Sequence, residues 1–517
     1  MSTVRRLISG SVSAWARIFV TVISQVAVVP FFLSRWDIQT YGTWIAIQAL
    51  IIVCSTMDRG HNDFLEYEFL KAGSADRKKI RAYLWSGISV VIVTAVAELL
   101  LLSLFCFSGG IQFLIDGLKT SNNNFAHDVA WSIIIGWVTW SVTNIAGLLA
   151  RCLFGFGYFP RMGWWNVLLA IVGALAPVIA VLNKGGLLKA SIWACGGSLI
   201  VLFFQFADMM RLLKKEKINR DFINWKLGWK NYSVSLGLSI RYFLEYFRQQ
   251  GIRILLVPLS GAAALTSFAT MRTGANVALQ GLSTITNPMM PELMRFLREK
   301  NQEKTVATFD TIWLILILVL IPFVIILQGL VPSIFSAWTH GKVPFDPSLF
   351  AVLSVSVLIY ALSQPATAIT IGNNLIKQQI IISFFTSAIL VTGLLLLIPA
   401  WGIFGAAVSL LVSEIVSAAC FAWVASAWLR KHELKWPRRS YTLGVFSIII
   451  SAVAMFGIIN FQTFYIPILF LSVFPLFIII RLYWRNMTEF AVIKMKALAT
   501  NATGVFKTFS LKTLTKK

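Results

Sequence analysis

Long apolar runs, separated by short polar segments, make up most of the chain. A helix needs about 20 residues to cross the roughly 30 Å hydrocarbon core of a bilayer, and the runs have that length. The sequence predicts fourteen such helices, at about residues 8–32, 40–57, 82–107, 129–151, 163–182, 188–208, 232–257, 262–286, 308–331, 348–371, 379–398, 402–427, 441–460 and 463–481. The segments between them are too short for an extra soluble domain. We therefore expect an all-α polytopic membrane protein whose function resides within or between its helices.

Three of these helices contain polar residues that recur every three or four positions, so that they share one helix face. In the seventh helix they fall in the stretch 238–261, LSIRYFLEYFRQQGIRILLVPLSG. An arginine in the middle of a membrane costs about 2.5–3.5 kcal/mol on insertion scales, so these faces must meet other helices or water. They predict a water-accessible, cationic cavity that binds an anion. Its candidate residues are Arg17 in the first helix, Arg241 and Arg248 in the seventh, and Arg272, Asn276 and Gln280 in the eighth.

Few acidic residues are available to neutralise these arginines. Glu98, Glu245 and Glu414 are the carboxylates that lie well inside predicted helices. A pair such as Arg241 with Glu245 can instead lock two helices together, and that alternative stays open. All three glutamates are candidates for ion coupling, and for Glu98 and Glu414, each alone on an apolar helix, a structural hydrogen bond is the other possibility.

Composition agrees with a membrane protein, because 57% of the residues are hydrophobic, 13% are charged and the mean hydropathy is +0.77. The net charge of +24 arises from basic residues in alternate loops, and no single basic stripe suggests a nucleic-acid partner. Of the 45 lysines and arginines, 35 lie at the termini or in even-numbered loops, five in odd-numbered loops and five inside helices. The positive-inside rule then places both termini in the cytoplasm.

Residues for enzyme chemistry are sparse. The five cysteines have neither metal-site nor disulfide spacing, and the four histidines fall in predicted loops or at helix ends, so no metal or cofactor is expected. Glu66 and Glu68 are the closest acidic pair that a membrane glycosyltransferase could use. They fall in a predicted cytoplasmic loop rich in basic residues, so we expect a salt-bridged loop and no enzyme.

Four stretches carry a family resemblance: LISGSVSAWARIFVTVISQVAVVPFFLSRWDIQTYGTW, MDRGHNDFLEYEFLKAGSADRKKIR, TNPMMPELMRFLREKN and WGIFGAAVSLLVSEIVSAA. In that order they resemble the first helix and its Tyr-Gly turn, the Asp-x-Gly turn and basic segment after helix 2, the proline-containing exit from helix 8, and the Gly-rich run of helix 12 in bacterial polysaccharide exporters. These are the Wzx-type or O-antigen flippases of the multidrug/oligosaccharidyl-lipid/polysaccharide (MOP) superfamily. The resemblance extends over essentially the whole chain.

The resemblance implies two pseudo-symmetric six-helix lobes around a central cavity, with two further helices at the end. In this chain the expected parts are an N-terminal lobe at 1–210, a basic cytoplasmic linker at 211–231, a C-terminal lobe at 232–430, appended helices at 431–481 and a basic cytoplasmic tail at 482–517.

It also implies a function in the bacterial inner membrane. The expected substrate is an undecaprenyl-pyrophosphate-linked oligosaccharide repeat unit, moved from the inner to the outer leaflet by ion-coupled alternating access. A polysaccharide polymerase and a chain-length regulator are the implied partners. The alternatives are a lipid II flippase and, further off, a polytopic glycosyltransferase or polymerase. A cationic-drug antiporter would need a cavity lined by acids, whereas the helices hold five arginines against three glutamates.

Overall fold

A computed structural model describes residues 3–73, 76–115, 123–220, 222–286 and 289–487. The regular structure within these ranges is helical, and the predicted all-α fold is confirmed. The helices are α1 (Thr3–Arg35), α2 (Ile38–Cys54), α3 (Thr56–Ala72), α4 (Arg77–Phe107), α5 (Gly110–Ile115), α6 (Asn123–Phe154), α7 (Phe159–Leu182), α8 (Leu187–Lys215), α9 (Trp225–Ser260), α10 (Ala262–Thr286), α11 (Met289–Arg298), α12 (Gln302–Ile315), α13 (Ile321–Trp338), α14 (Pro347–Gly372), α15 (Ile376–Lys431), α16 (Arg438–Asn460) and α17 (Tyr465–Asn486). A π-helical turn, Leu316–Leu320, joins α12 to α13.

The membrane-crossing helices agree with the predicted count of about fourteen. Within the described ranges, ten helices are long and apolar enough to cross a bilayer, and the pair α2–α3, bent by 42°, makes eleven. Gly402, with φ 55° and ψ −136°, divides the 56 residues of α15 into two spans. The helices α9 and α10 have 36 and 25 residues but are too polar to be counted by composition. These two and the second half of α15 bring the total to the predicted number.

One compact unit comprises residues 1–274, 333–346 and 379–413. Its core lies among α3, α4, α6 and α8, with fully buried side chains that include Leu65, Leu84, Leu148 and Met209. Segments far apart in sequence are joined by polar contacts, such as the 2.7 Å hydrogen bond from Nε1 of Trp338 to the carbonyl of Val26. Close packing and such bonds hold helices together in lipid, where the hydrophobic effect does not drive helix association.

The other unit comprises residues 275–332, 347–378 and 414–517. Its helices α12, α14 and α16 pack together around aromatic side chains. The indole of Trp313 donates a 2.9 Å hydrogen bond to the carbonyl of Leu362, and the hydroxyl of Tyr483 donates one of 3.1 Å to the carbonyl of Asp310. These bonds satisfy buried polar groups of α12 and α17.

Helix ends fall inside two of the segments predicted to be non-helical. Much of the segment 211–231 is helical, since α8 continues to Lys215 and α9 begins at Trp225. The segment between them contacts α4, because the carbonyl of Asn219 accepts a 3.0 Å hydrogen bond from Trp85, and Ile218 is buried. At the C-terminus, α17 ends at Asn486, and residues 488–517 of the predicted tail lie outside the described ranges. The predicted division into six-helix lobes stays a prediction.

Candidate functional site

The charged helix of the sequence is α9, and local chemistry defines both of its ends. The side chain of Asn224 caps the first turn by accepting a 3.0 Å hydrogen bond from the backbone N–H of Leu227. Gly261 ends the helix at φ 87°, a left-handed conformation that glycine adopts at little cost, and its N–H donates to the carbonyl of Val257 at 2.7 Å. Between these ends α9 packs against α2, α3 and α4 in the first unit.

Two arginines from different helices converge on one tyrosine of α9. The guanidinium of Arg241 lies 4.7 Å from the ring centre of Tyr242, and that of Arg59, on α3, lies 5.1 Å from the same ring. Arg59 also donates a hydrogen bond to the hydroxyl of Tyr246 and lies 5.2 Å from its ring centre. We call Arg59, Arg241, Tyr242 and Tyr246 the arginine–tyrosine cluster.

Neither arginine of this cluster is ion-paired within the described part of the chain. They are half-buried, and among the described residues neither guanidinium has a carboxylate within ion-pairing distance. Contact with an aromatic face stabilises a cation by about 0.5–2 kcal/mol and leaves its N–H donors available. The arrangement therefore places two guanidinium groups, from two helices, beside one tyrosine ring.

A second group of contacts holds Tyr242 in place. Its hydroxyl donates a 2.6 Å hydrogen bond to Oδ2 of Asp63, on α3. The other oxygen of Asp63 pairs with Arg151 of α6 at 2.8 Å, and Arg151 also pairs with Glu66 at 2.8 Å. Arg151 thus pairs with both Asp63 and Glu66, and α3, α6 and α9 are joined around the tyrosine.

Arg248 and Arg272, both predicted to face the substrate, also contact protein groups. Arg248 is 2% exposed and pairs with Glu245 at 2.9 Å, one helical turn away as the spacing predicted. Glu245 also accepts a hydrogen bond of 3.4 Å from Ser383 on α15. Arg272 donates to the backbone carbonyl and the side-chain oxygen of Gln249, at 2.9 and 3.0 Å, and so joins α10 to α9.

The remaining predicted residues lie apart from this cluster or in the other unit. Arg17 is exposed on α1, a helix that packs mainly against α7. Glu98 lies on α4, half-buried. The half-buried Asn276 and Gln280, on the second half of α10, and the buried Glu414 belong to the second unit. The structure therefore brings together Arg241, Glu245, Arg248 and Arg272 from the predicted set.

The prediction of a loop at 58–81 was wrong, because residues 56–72 form α3. Its buried polar and apolar positions are spaced as on one face of a helix, namely Asp58, His61, Asn62, Leu65 and Phe69. That spacing is visible in the sequence and could have revealed both the helix and Arg59. His61 was assigned to a loop, yet it is fully buried, with Nδ1 3.3 Å from the hydroxyl of Ser235.

Glu66 and Glu68, the acidic pair considered for a glycosyltransferase, each form a salt bridge. Glu66 pairs with Arg151 at 2.8 Å, and Glu68 pairs with Lys79 at 2.8 Å. Both glutamates are salt-bridged, as predicted, but they lie on α3 and not in a loop.

Two open grooves are lined by residues outside α9. The groove in the first unit, of about 690 Å³, contains Arg161, which makes two hydrogen bonds to Asp208 at 2.8 and 2.5 Å. Burial and a 2.7 Å hydrogen bond to Glu216 raise the pKa of Tyr158 there. Its lining is Ser9, Phe156, Gly157, Tyr158, Pro160, Arg161, Trp164, Trp165, Leu168 and Lys215.

The groove in the second unit, of about 620 Å³, lies beside α11 and contains Arg295, Arg298 and Lys300. Lys300 pairs at 3.0 Å with Glu433, and this hydrogen bond lowers the pKa of that exposed carboxyl. Several cations of both grooves are thus paired with acids, unlike the two arginines beside Tyr242.

The fold is similar to that of solved transporters. A structure of the lipid II flippase MurJ in an inward closed conformation has a TM-score of 0.65 at 12% identity, over 93% of this chain and 99% of its own. An inward-facing multidrug resistance MATE family transporter of the MOP superfamily has a TM-score of 0.63 at 9% identity, over 82% of this chain and 99% of its own. A mutant of the Vibrio cholerae MATE transporter VcmN has a TM-score of 0.52 at 14% identity, over 83% of this chain and 97% of its own.

These likenesses concern the fold alone, because the identities are low. No protein-family model matches the sequence, and no curated protein matches it. The fold of the chain is similar to that of MurJ and of a MATE family transporter of the MOP superfamily. The finer resemblance, to Wzx-type flippases, stays a prediction.

Proposed function

We propose that this chain is a flippase for an undecaprenyl-pyrophosphate-linked oligosaccharide repeat unit, as in O-antigen synthesis. The observation that carries the proposal is the position of Arg59 and Arg241 at 5.1 and 4.7 Å from the ring centre of Tyr242, with no carboxylate of the described residues within ion-pairing distance of either guanidinium. A pyrophosphate carries several acceptor oxygens, and guanidinium groups bind such oxygens through paired, charge-assisted hydrogen bonds. Two arginines from two helices suit a group of two linked phosphates.

The tyrosines of the cluster suit the sugar that follows the pyrophosphate. Tyr242 and Tyr246 present rings with an apolar body and a polar tip, a combination that contacts sugar faces and hydroxyls. The polyprenyl tail stays in the lipid, since each CH₂ of the chain gains about 0.8 kcal/mol outside water. The other predicted site residues, Arg17, Asn276 and Gln280, stay predictions.

The energy source in this account is an ion gradient. Of the three predicted coupling residues, Glu245 is engaged by Arg248, and Glu414 is buried in the second unit. Glu98 is the first candidate, because its Oε2 is buried without a hydrogen-bond partner within the described part of the chain. The inner-membrane location, the cytoplasmic termini and the partnership with a polymerase and a chain-length regulator remain predictions.

A second candidate substrate is lipid II, which also joins a sugar to a polyprenyl pyrophosphate. The observation in its favour is the match to MurJ over 93% of this chain, against 82% and 83% for the two MATE structures. The arginine–tyrosine cluster fits both substrates, because they share the pyrophosphate.

Genetic complementation separates the two candidates. The chain is expressed in one bacterial host that lacks its O-antigen flippase and in another that depends on an inducible lipid II flippase. Surface polysaccharide restored in the first host and no growth in the second support the repeat-unit substrate. Growth of the second host alone supports lipid II. Failure in both hosts, with the protein present in the membrane, contradicts the proposed function.

A further inference from the structure

A buried carboxyl on α3 and a half-buried carboxyl on α4 are linked through one threonine of α4. Asp58, in the first turn of α3, is 1% exposed, and its Oδ1 accepts a hydrogen bond of 3.4 Å from the hydroxyl of Thr94 on α4. Glu98 lies one helical turn after Thr94 and therefore on the same face of α4. We call Asp58 and Glu98 the carboxyl pair.

The carboxyl pair has oxygens that the protein leaves unsatisfied. Oδ2 of Asp58 and Oε2 of Glu98 are both buried, and neither has a hydrogen-bond partner among the described residues. In the same part of the chain, neither carboxyl has a lysine or arginine within ion-pairing distance. Elsewhere in this unit buried acids are paired, as Asp208 is with Arg161 at 2.5 Å.

Other polar groups with free hydrogen-bonding capacity surround the pair. The indole of Trp140, on α6, lies beside Asp58, and its N–H has no acceptor in hydrogen-bonding geometry. Asn62, one turn after Asp58 on α3, donates at 2.5 Å to Asn144, and its own Oδ1 stays unpartnered. The titratable groups near the pair are the thiol of Cys54 on α2 and the phenol of Tyr232 on α9, whose ring lies 5.5 Å from that of His61 on α3.

Two negative charges are not stable in such a place. Burial removes the water that stabilises a carboxylate, and a second carboxylate nearby adds repulsion. Reversible binding of one cation reduces both the desolvation cost and the repulsion between the two carboxylates. A proton is the simplest such cation here, because a proton needs one oxygen, whereas a metal ion needs a shell of several ligands at fixed distances.

We infer that Asp58 and Glu98 form one proton-binding site, in which a single proton from water binds a carboxyl oxygen of the pair and leaves again as the site opens to water. The inference deepens the proposed function, on which its second part rests: this proton is the coupling ion. The first part, proton binding, stands without any transported substrate. Such a pair titrates as a unit, so the proton belongs to both carboxyls.

Infrared difference spectroscopy of the purified full-length protein in lipid tests proton binding directly. A protonated carboxyl absorbs separately from a carboxylate, and wild-type protein should lose one such band as the pH rises. Asp58→Asn and Glu98→Gln should each abolish or shift this titrating band. Glu68→Gln is the matched control, because Glu68 is paired with Lys79 and should leave the band unchanged. A titrating band that stays the same in both pair variants would overturn the inference.

Two further measurements distinguish loss of the site from loss of folding, and proton binding from sodium binding. Glu98→Asp retains a carboxyl and should move the band without removing it, which separates loss of the site from loss of folding. Sodium added at constant pH should leave the band in place, and a sodium-dependent loss would assign the site to sodium and overturn the inference.

The coupling part is measured in proteoliposomes with an imposed proton gradient. Glu98→Gln should lose the response to the gradient and still exchange substrate without one. Unchanged gradient-driven transport in this variant overturns the coupling part alone. Absence of any transport by wild-type protein contradicts the proposed function, and the infrared result stands independently.

Discussion

Tyr242 on α9 donates a 2.6 Å hydrogen bond to Asp63 on α3. The same tyrosine carries a guanidinium on its ring, so one side chain both joins two helices and positions a cation. The hydroxyl and the ring therefore have separable roles. Substitutions that remove one and keep the other distinguish helix packing from ligand binding.

Tyr242→Phe removes the hydroxyl and keeps the ring beside Arg59 and Arg241. We expect a loss of about 1.5 kcal/mol in stability, the lower end for a hydrogen bond to a charged group, because Asp63 keeps its ion pair with Arg151. Thermal unfolding in detergent measures the loss. Tyr246→Phe is the comparison, because it removes a hydroxyl that accepts a hydrogen bond from the half-buried Arg59 and is not bonded to Asp63. Equal stability of Tyr242→Phe and wild type would show that the contact contributes nothing.

Arg248→Ala tests whether this predicted site residue is a structural partner. Arg248 is 2% exposed, and its removal leaves Glu245 in a largely protein-lined position without its cation. We expect a loss of about 3 kcal/mol, the lower end for a broken buried pair, because the Glu245 side chain is 31% exposed. Arg248→Ala combined with Glu245→Ala should recover part of that loss in unfolding measurements. A double variant less stable than the single one would rule out the pairing as the cause.

Arg59 and Arg241 should be needed for transport more than for folding. Arg59→Ala and Arg241→Ala should each reduce surface polysaccharide by at least tenfold in a complemented host, with normal protein levels in the membrane. Lysine at either position should restore part of the export, because it keeps the charge and loses the paired N–H donors. Arg77→Ala is the control, since Arg77 is 47% exposed and lies 3.7 Å from Glu216, away from the cluster. Full export by both alanine variants would remove the arginines from the site.

The charge asymmetry predicts the orientation in the membrane. Reporter fusions after Lys342 should be periplasmic and fusions after Lys217 cytoplasmic, because 35 basic residues lie on one predicted side and five on the other. Alkaline phosphatase and green fluorescent protein fusions report the two sides. A cytoplasmic signal after Lys342 would contradict the fourteen-span topology.

Periodicity was sufficient to predict the helical fold and the charged face of α9. Charges three and four residues apart on a helix must be neighbours, and the Glu245–Arg248 pair at 2.9 Å follows from that rule. The rule does not say whether an arginine on that face pairs only with its neighbouring carboxylate or also binds a substrate. Whether Arg248 faces a ligand depends on residues such as Ser383, which is distant in sequence.

Arg59 was missed because its segment looks like a cytoplasmic loop. The stretch from Asp58 to Glu68 is rich in charge, and charge between two apolar runs is usually solvated. In the structure those charges are satisfied by α6, α4 and α9, and the helix continues through them. Such pairing joins residues more than 80 positions apart, as for Arg151 and Glu66, which no local pattern reveals.

Reconstitution tests the central claim most directly. The purified chain is placed in liposomes with a fluorescent undecaprenyl-pyrophosphate oligosaccharide, and a membrane-impermeant quencher reports how much of the lipid reaches the outer leaflet. The account predicts that wild-type protein makes nearly all of the labelled lipid accessible, whereas the Arg59→Ala, Arg241→Ala double variant behaves like protein-free liposomes. Equal translocation by the wild type and the double variant would contradict the account.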